Sequence, residues 1–336
     1  MKILKVIVVG LLLLVITFAV VGLFLPSSVH VERTVSINRP TILVFDIVNN
    51  LRRFNDWSPW YPRDPQAQYR YEGPESGVGA IVHWTGNDKV GSGTQTIVES
   101  QPNSAIKVSL EFGPKDKATA FYKLVPDPVG VKITWGFDND FGYNLIARYF
   151  GLMFEKWIGA DYEEGLAKLK LLAEKLPNVD YSDAQISIEH VQAKDILFVS
   201  DATSKDPEAI GKAISAAYQE IMLNINKNGL STSGAPIAIT SFWDERGYAF
   251  DAAIPVNKTD IPLGGRVKAG KSYAGKVVVG VHTGPYPTMA KTYEKLEAYL
   301  AVRKWKHKDR YYEEYLNSPA DTPPEKLMTK VYFPVE

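Results

Sequence analysis

The sequence predicts an α+β protein. An N-terminal transmembrane helix leads into a domain in which an antiparallel sheet grips one long helix. A duplicated β-α-β-β domain follows, with a cleft at its pseudo-twofold axis. Three observations carry this reading: an uncharged apolar N-terminus, a run of short strand-like segments closed by one long helical stripe, and a C-terminal part that repeats its own pattern. At 336 residues the chain suits two domains, each able to bury its own core.

From Val6 to Leu25 the stretch VIVVGLLLLVITFAVVGLFL holds no charge and one hydroxyl, Thr17. Twenty residues rising about 1.5 Å each span a bilayer's hydrocarbon core. Lys2 and Lys5 precede it, which by the positive-inside rule leaves the N-terminus cytoplasmic and the rest outside. A cleaved signal peptide is the other reading. Against it, the stretch exceeds a usual h-region, and GLFLPSSVH offers no small-residue cleavage site. An uncleaved single-pass anchor over 1–26 is therefore expected.

The next region, 27–176, opens with VHVERTVSIN, which sets Val29, Val31, Val35 and Ile37 on one face. Arg33 is the exception on that side. In NRPTILVFDIVNN, Asn38 can cap a short helix, Pro40 suits its first turn, and Ile42, Phe45 and Val48 or Ile47 line one side. Strands are expected near 67–72, 78–85, 92–100, 104–113, 117–125 and 129–137, punctuated by EGPESG, GNDKVGSG and VPDPVG. A helix then runs to Pro177. Phe150, Phe154, Trp157 or Ile158, Asp161, Gly165, Leu169 and Leu172 form its inward stripe. A curved sheet wrapped around such a helix leaves an interior cavity.

PNVDYSDAQ reads as a linker, placed at 177–184. Beyond it, over 185–336, the order strand, helix, strand, strand occurs twice. DILFVSD, a helix from Asp206, PIAITSFW and YAFDAAIPV make one unit. GKVVVGVHTGPYP, a helix from Thr288, RYYEEYL and LMTKVYFPV make the other. The units end on Pro255-Val256 and Pro334-Val335, 79 residues apart. Two such halves meet at a seam, a common place for a ligand.

Several function classes fall away. Basic and acidic residues number 38 each, and neither a basic stripe nor a helix-turn-helix pattern is present, so no nucleic-acid partner is expected. There is no cysteine, which excludes disulfides, thiolate nucleophiles and Cys-based metal sites. The five histidines lack metal-ligand spacing. GRVKAGKS, Gly265 to Ser272, fits the phosphate-loop expression G-x-x-x-x-G-K-[ST]. The β-like KVVVGV follows it rather than a helix whose amides could hold phosphate. No cofactor or metal is expected.

Two aromatic segments remain. FNDWSPWYP packs Phe54, Trp57, Trp60 and Tyr61 together, either at a cavity mouth or as core under the sheet. In RYYEEYL, a strand puts Tyr311, Glu313 and Tyr315 on one face and Tyr312, Glu314 and Leu316 on the other. Pattern alone leaves either face inward, or both glutamates as solvated edge charges. A carboxylate between aromatic rings suits an organic cation, and equally a general acid or base with a raised pKa.

Resemblance adds to this. ERTVSINRPTILVFDIVNNLRRFNDWSPW, VGVKITWGF and YEEGLAKLKLLAE make residues 29–176 resemble the SRPBCC superfamily of START-like, polyketide cyclase and lipid-transfer proteins. That implies a helix-grip fold with an apolar cavity and carries over no catalytic set. Trp57 and Trp60 match its W-x-x-W segment, and Gly165 and Leu166 its helix motif. FDAAIPV, VHTGPYPTM and YEEYLNSPADTPPEKLMTKVYFPV make residues 185–336 resemble the GyrI-like effector-binding domain. The resemblance aligns the pocket glutamate of that family with Glu313, choosing the face of Tyr311 and Tyr315. Trp243 is then the counterpart opposite, and Tyr286 of VHTGPYPTM joins the set. The chain departs from the regulator relatives of that family in having no DNA-binding segment.

The expectation is a membrane-anchored small-molecule binding protein. An apolar ligand or lipid would sit in the first cavity, near Trp57 and Trp60. An amphipathic aromatic or cationic one would bind at Glu313, Tyr311, Tyr315, Trp243 and Tyr286. The alternative is a hydrolase of an electrophilic small molecule with Glu313 as general acid/base.

Overall fold

Helix α1, Lys2–Phe24, is formed by the apolar N-terminus in the computed structural model, which describes residues 2–113 and 116–336. Two antiparallel sheets, of seven and eight strands, follow with their helices. The chain divides into two units, Met1–Asp180 and Tyr181–Glu336.

In the first unit β1 (Ser28–Ile37) leads to α2 (Thr41–Val48) and two short 3-10 turns, Leu51–Asp56 and Tyr61–Arg63. Six strands follow: β2 (Gln68–Glu72), β3 (Ile81–Thr85), β4 (Ser92–Gln101), β5 (Ala105–Glu111), β6 (Lys117–Asp127) and β7 (Gly130–Asp140). From β2 to β7 each strand pairs with the next, and β1 joins β7 from Ser28↔Asp140 to Ile37↔Val131. Helix α2 buries Leu43, Val44, Phe45, Ile47 and Val48, more of its surface than a single stripe. Asn38 does not cap it: Pro40 holds the N-cap position, and the Asn38 backbone N–H goes to Glu174 instead.

Helix α3 (Leu145–Glu174) lies against the sheet and buries Tyr162, Gly165, Leu166, Leu169 and Ala173. Its glycines explain the close approach. A Cβ at Gly165 would stand 2.6 Å from the Trp135 ring, and one at Gly159 would meet the Arg33 guanidinium. Arg33 is thereby accounted for: from the apolar side of β1 it reaches α3, pairing with Glu163 at 2.6 Å and Glu155 at 2.9 Å. The stripe is inward only in its C-terminal half. Phe150 and Trp157 remain 57% and 48% exposed, and both line the cavity between α3 and the sheet.

The second unit contains β8 (Gln185–Val191), β9 (Asp195–Thr203), α4 (Pro207–Lys227), β10 (Ile237–Asp244) and β11 (Gly247–Pro255). It continues with β12 (Lys268–Lys271), β13 (Gly275–Thr283), α5 (Ala290–Arg303), β14 (Tyr312–Tyr315) and β15 (Met328–Pro334). The sheet order is β12-β9-β11-β10-β14-β15-β13-β8, which reads the same from both ends in its repeated elements. Each half lends a strand to the other: β8 precedes the first repeat but pairs with β13, and β12 precedes the second but pairs with β9. The phosphate-loop lookalike contributes β12, so its backbone groups serve the sheet. Helix α4 starts on Asp206, whose side chain accepts from the Ala209 N–H, with Pro207 in the first turn.

Candidate ligand-binding sites

Strand β14 carries the two adjacent glutamates. Residues paired across a ladder point to the same side of a sheet. Glu313 pairs with Ala238 of β10 and Val331 of β15. On that side α4 packs over Leu197, Phe250 and Ala252 through Ala217, Ile221 and Ile225. Likewise α5 packs over Val278, Val331 and Phe333 through Leu296 and Leu300. The central strands β10 and β14 lie between the helix-covered parts of the sheet, at the axis of the repeat where the sequence leads one to expect a cleft.

Glu313 is half-buried there, and both its oxygens are held. The Tyr293 hydroxyl donates to Oε1 at 2.6 Å and the Tyr315 hydroxyl to Oε2 at 2.5 Å. Burial pushes the carboxyl pKa up, and these two hydrogen bonds pull against it. The carboxylate in turn raises the phenol pKa of Tyr218, Tyr248, Tyr286, Tyr293, Tyr311 and Tyr315, in each case beside a larger effect of burial. Among the described residues no Lys, Arg or His forms an ion pair with Glu313. The site is a carboxylate ringed by phenols.

Glu314 lives on the other face. It accepts from the Tyr332 hydroxyl at 2.6 Å, and Lys194 Nζ stands 3.7 Å away. Its neighbours Tyr312 and Tyr332 stack at 4.5 Å between ring centres. Each glutamate thus has tyrosine partners, but only Glu314 has a cation.

Of the residues expected around Glu313, Tyr315 touches it directly. Tyr286 packs edge-on against Tyr315 at 5.6 Å, and Tyr311 meets Tyr293 at 5.4 Å. Trp243 shares the face through an irregularity. Thr240 pairs with Phe250 but Trp243 pairs with Tyr248, so a bulge at Ser241 shifts the alternation by one residue. Its ring lies 5.3 Å from Tyr248, and it is 52% exposed at the rim rather than against the carboxylate. The sequence reading missed Tyr218, Tyr248 and Tyr293. A phenol in the apolar stripe of a helix requires a hydrogen-bond acceptor, and that requirement was the available signal at Tyr293.

In the first unit a cavity of about 740 Å³ lies between sheet and α3. Its depth is apolar, with Leu51, Phe54, Val82, Leu110, Phe137 and Tyr162 in the wall, while Lys89, Asp116, Lys117 and Asp140 stand at exposed positions. Trp60 lines it and donates from Nε1 to Asp161 at 2.9 Å, where Arg63 also binds at 2.5 Å. Trp57 does not line it. It is 1% exposed and packs edge-on against Phe54 at 4.9 Å and Trp135 at 5.1 Å, so it belongs to the core beneath. The two tryptophans of W-x-x-W therefore have different tasks.

Both units are built as small-molecule binding domains, and the comparisons give their families. Residues 28–174 match the family described as polyketide cyclase / dehydrase and lipid transport. Residues 184–336 match the family described as GyrI-like small molecule binding domain. The chain is an SRPBCC-type domain followed by a GyrI-like domain, behind an apolar helix. No curated protein matches it. Among solved structures, the EcmrR C-terminal domain is similar at 18% identity and TM-score 0.42, over 46% of this chain and 98% of that one. A hydrolase from Listeria innocua is similar at 19% identity and TM-score 0.34, over 45% and 91%. The protein SA2116 of unknown function from Staphylococcus aureus is similar at 10% identity and TM-score 0.35, over 44% and 94%. At these values the likenesses say nothing of what this chain binds.

Proposed function

We propose that this is a single-pass membrane-anchored binding protein with two ligand sites. The C-terminal cleft takes an amphipathic aromatic cation, held by Glu313 with Tyr315, Tyr286 and Trp243 around it. The observation that carries this is a shielded carboxylate with phenol partners and no cationic one. Such a group lacks a countercharge that a ligand can supply, and ring faces add their own attraction for a cation. The cavity lined by Trp60 takes an apolar molecule or lipid, supported by its apolar wall and a volume within the usual range for such sites, about 300–1,000 Å³. Helix α1 is the anchor, supported by the length and apolar composition of Ile3–Phe24. Lys2 and Lys5 favour a cytoplasmic N-terminus and both domains outside.

Native mass spectrometry of the detergent-solubilised full chain tests the reading, with extraction of co-purifying molecules and titration of an aromatic quaternary amine. Glu313→Gln weakens amine binding by tenfold or more, whereas Glu314→Gln leaves it within about twofold. Equal losses in both variants overturn the assignment of faces.

The raised pKa of Glu313 supports a second reading, general acid/base catalysis in a small-molecule hydrolase. Turnover of an electrophilic substrate with a bell-shaped pH profile, abolished in Glu313→Gln, distinguishes it from binding alone.

A further inference from the structure

The first turns of α3 present a surface that the core does not use. Residues 145–154, LIARYFGLMF, carry one charge, Arg148. Ile146, Phe150 and Leu152 are 61%, 57% and 57% exposed, and Met153 and Trp157 are 41% and 48% exposed. A contiguous apolar patch of this kind marks an interaction surface.

What covers it follows from where α1 ends. The Tyr149 hydroxyl donates to the Phe18 carbonyl at 2.8 Å, and the two rings stack at 4.3 Å. Gly22 lets Leu145 approach, since a Cβ there would lie 3.2 Å from Leu145 Cβ. The start of α3 is therefore level with the last two turns of α1, and whatever surrounds those turns surrounds the patch. Arg148 fixes this arrangement. The final carbonyls of a helix lack partners within it, and a cation suits that end of the dipole. The Arg148 guanidinium, in a residue only 8% exposed, donates to the carbonyls of Gly22, Leu23 and Leu25 at 3.4, 3.1 and 3.2 Å, and to Gly142. Only Pro26 and Ser27 separate this clasp from β1. Phe150 and Trp157 belong to the cavity wall as well as to the patch, so the patch borders the cavity.

We propose that the partner of this patch is the lipid surface itself: the first turns of α3 are immersed in the leaflet where α1 ends, and the cavity mouth faces lipid. An apolar ligand then passes between bilayer and cavity without crossing water. The inference rests on the reading of α1 as an anchor, with immersion of an apolar face to the usual depth of about 5–10 Å.

Because the chain has no cysteine, single introduced cysteines carry a spin label uniquely. Leu152→Cys probes the patch, Leu171→Cys the exposed far end of the same helix, and Val9→Cys the middle of α1. The full chain is reconstituted in vesicles of phosphatidylcholine and phosphatidylglycerol, and collisions with oxygen and with a water-soluble nickel chelate are measured. The expected result is that labels at 9 and 152 lose nickel collisions and gain oxygen collisions relative to 171. A label at 152 as open to nickel as one at 171, with 9 still shielded, overturns the seating and leaves the anchor standing. A label at 9 open to nickel overturns the anchor reading and the seating together. Adding Arg148→Ala to the Leu152→Cys chain restores nickel collisions at 152 while 9 stays shielded. Unchanged shielding at 152 overturns the part given to the clasp.

Discussion

At the scale of single residues, the chemistry gathers on Glu313. Its folded pKa lies above the ordinary carboxyl value of 4.5, because burial outweighs the hydrogen bonds from Tyr293 and Tyr315. Between those two pKa values the folded protein keeps a proton that the unfolded chain has released. Stability contributed by this group is therefore lost as pH rises through that window. Thermal unfolding across pH checks the sign: Glu313→Gln gains on wild type as pH climbs above about 4.5, and no gain contradicts it. Affinity for an organic cation moves the other way over the same window, rising as the carboxylate forms. Removing one donor sharpens the test. Tyr293→Phe deletes a hydrogen bond to the charged form, of the kind that contributes about 1.5–3 kcal/mol. The midpoint of the pH profile of cation binding is then displaced upward, whereas Tyr332→Phe, which strips Glu314 instead, leaves it in place.

At the scale of elements, α3 has two ends with different neighbours. Its C-terminal half is close-packed on β7, with the Tyr162 ring stacked 3.8 Å from that of Trp135. Gly165 makes this contact feasible. Gly165→Ala forces the Trp135 indole or the helix to shift, an overpacking that costs about 1–3 kcal/mol. Urea unfolding of the first unit measures it, and an unchanged midpoint refutes the close approach. The N-terminal half, by contrast, has cavity on one side and an uncovered apolar surface on the other. An apolar stripe reads alike in both halves, because periodicity marks which side chains avoid water without saying whether protein or lipid replaces it.

At the scale of the whole molecule, the eight-stranded sheet of the second unit is one cooperative object despite its internal repeat. The strand preceding each half pairs in the other half, so neither half owns a complete sheet. Residues 181–258 and 259–336 produced separately are expected to stay unfolded, and to give a dispersed amide spectrum only when mixed. A folded isolated half contradicts the exchange. The arrangement also places β10 against β14, the strands that carry the site, where the two repeats meet at the centre of the sheet.

The sequence by itself determined the elements and the two families. Period-two segments between Gly and Pro, amphipathic stripes at helical spacing and the Pro-Val repeat are local facts, and β2 to β7 and α3 lie within a few residues of where they are read. Strands β8 and β12 escaped, because QISIEHV and KAGK are short segments whose strand form depends on edge partners distant in the chain. The choice between Glu313 and Glu314 was legible only through resemblance, since adjacent residues on a strand are equivalent until a helix covers one face. What only the tertiary structure decided was long-range: that Trp57 is core while Trp60 is cavity wall, that a bulge turns Trp243 toward the cleft, and that Tyr218, Tyr248 and Tyr293 close around the carboxylate. Each depends on which surfaces meet, and hydrophobic burial is indifferent to partner identity until shape and hydrogen bonding select one.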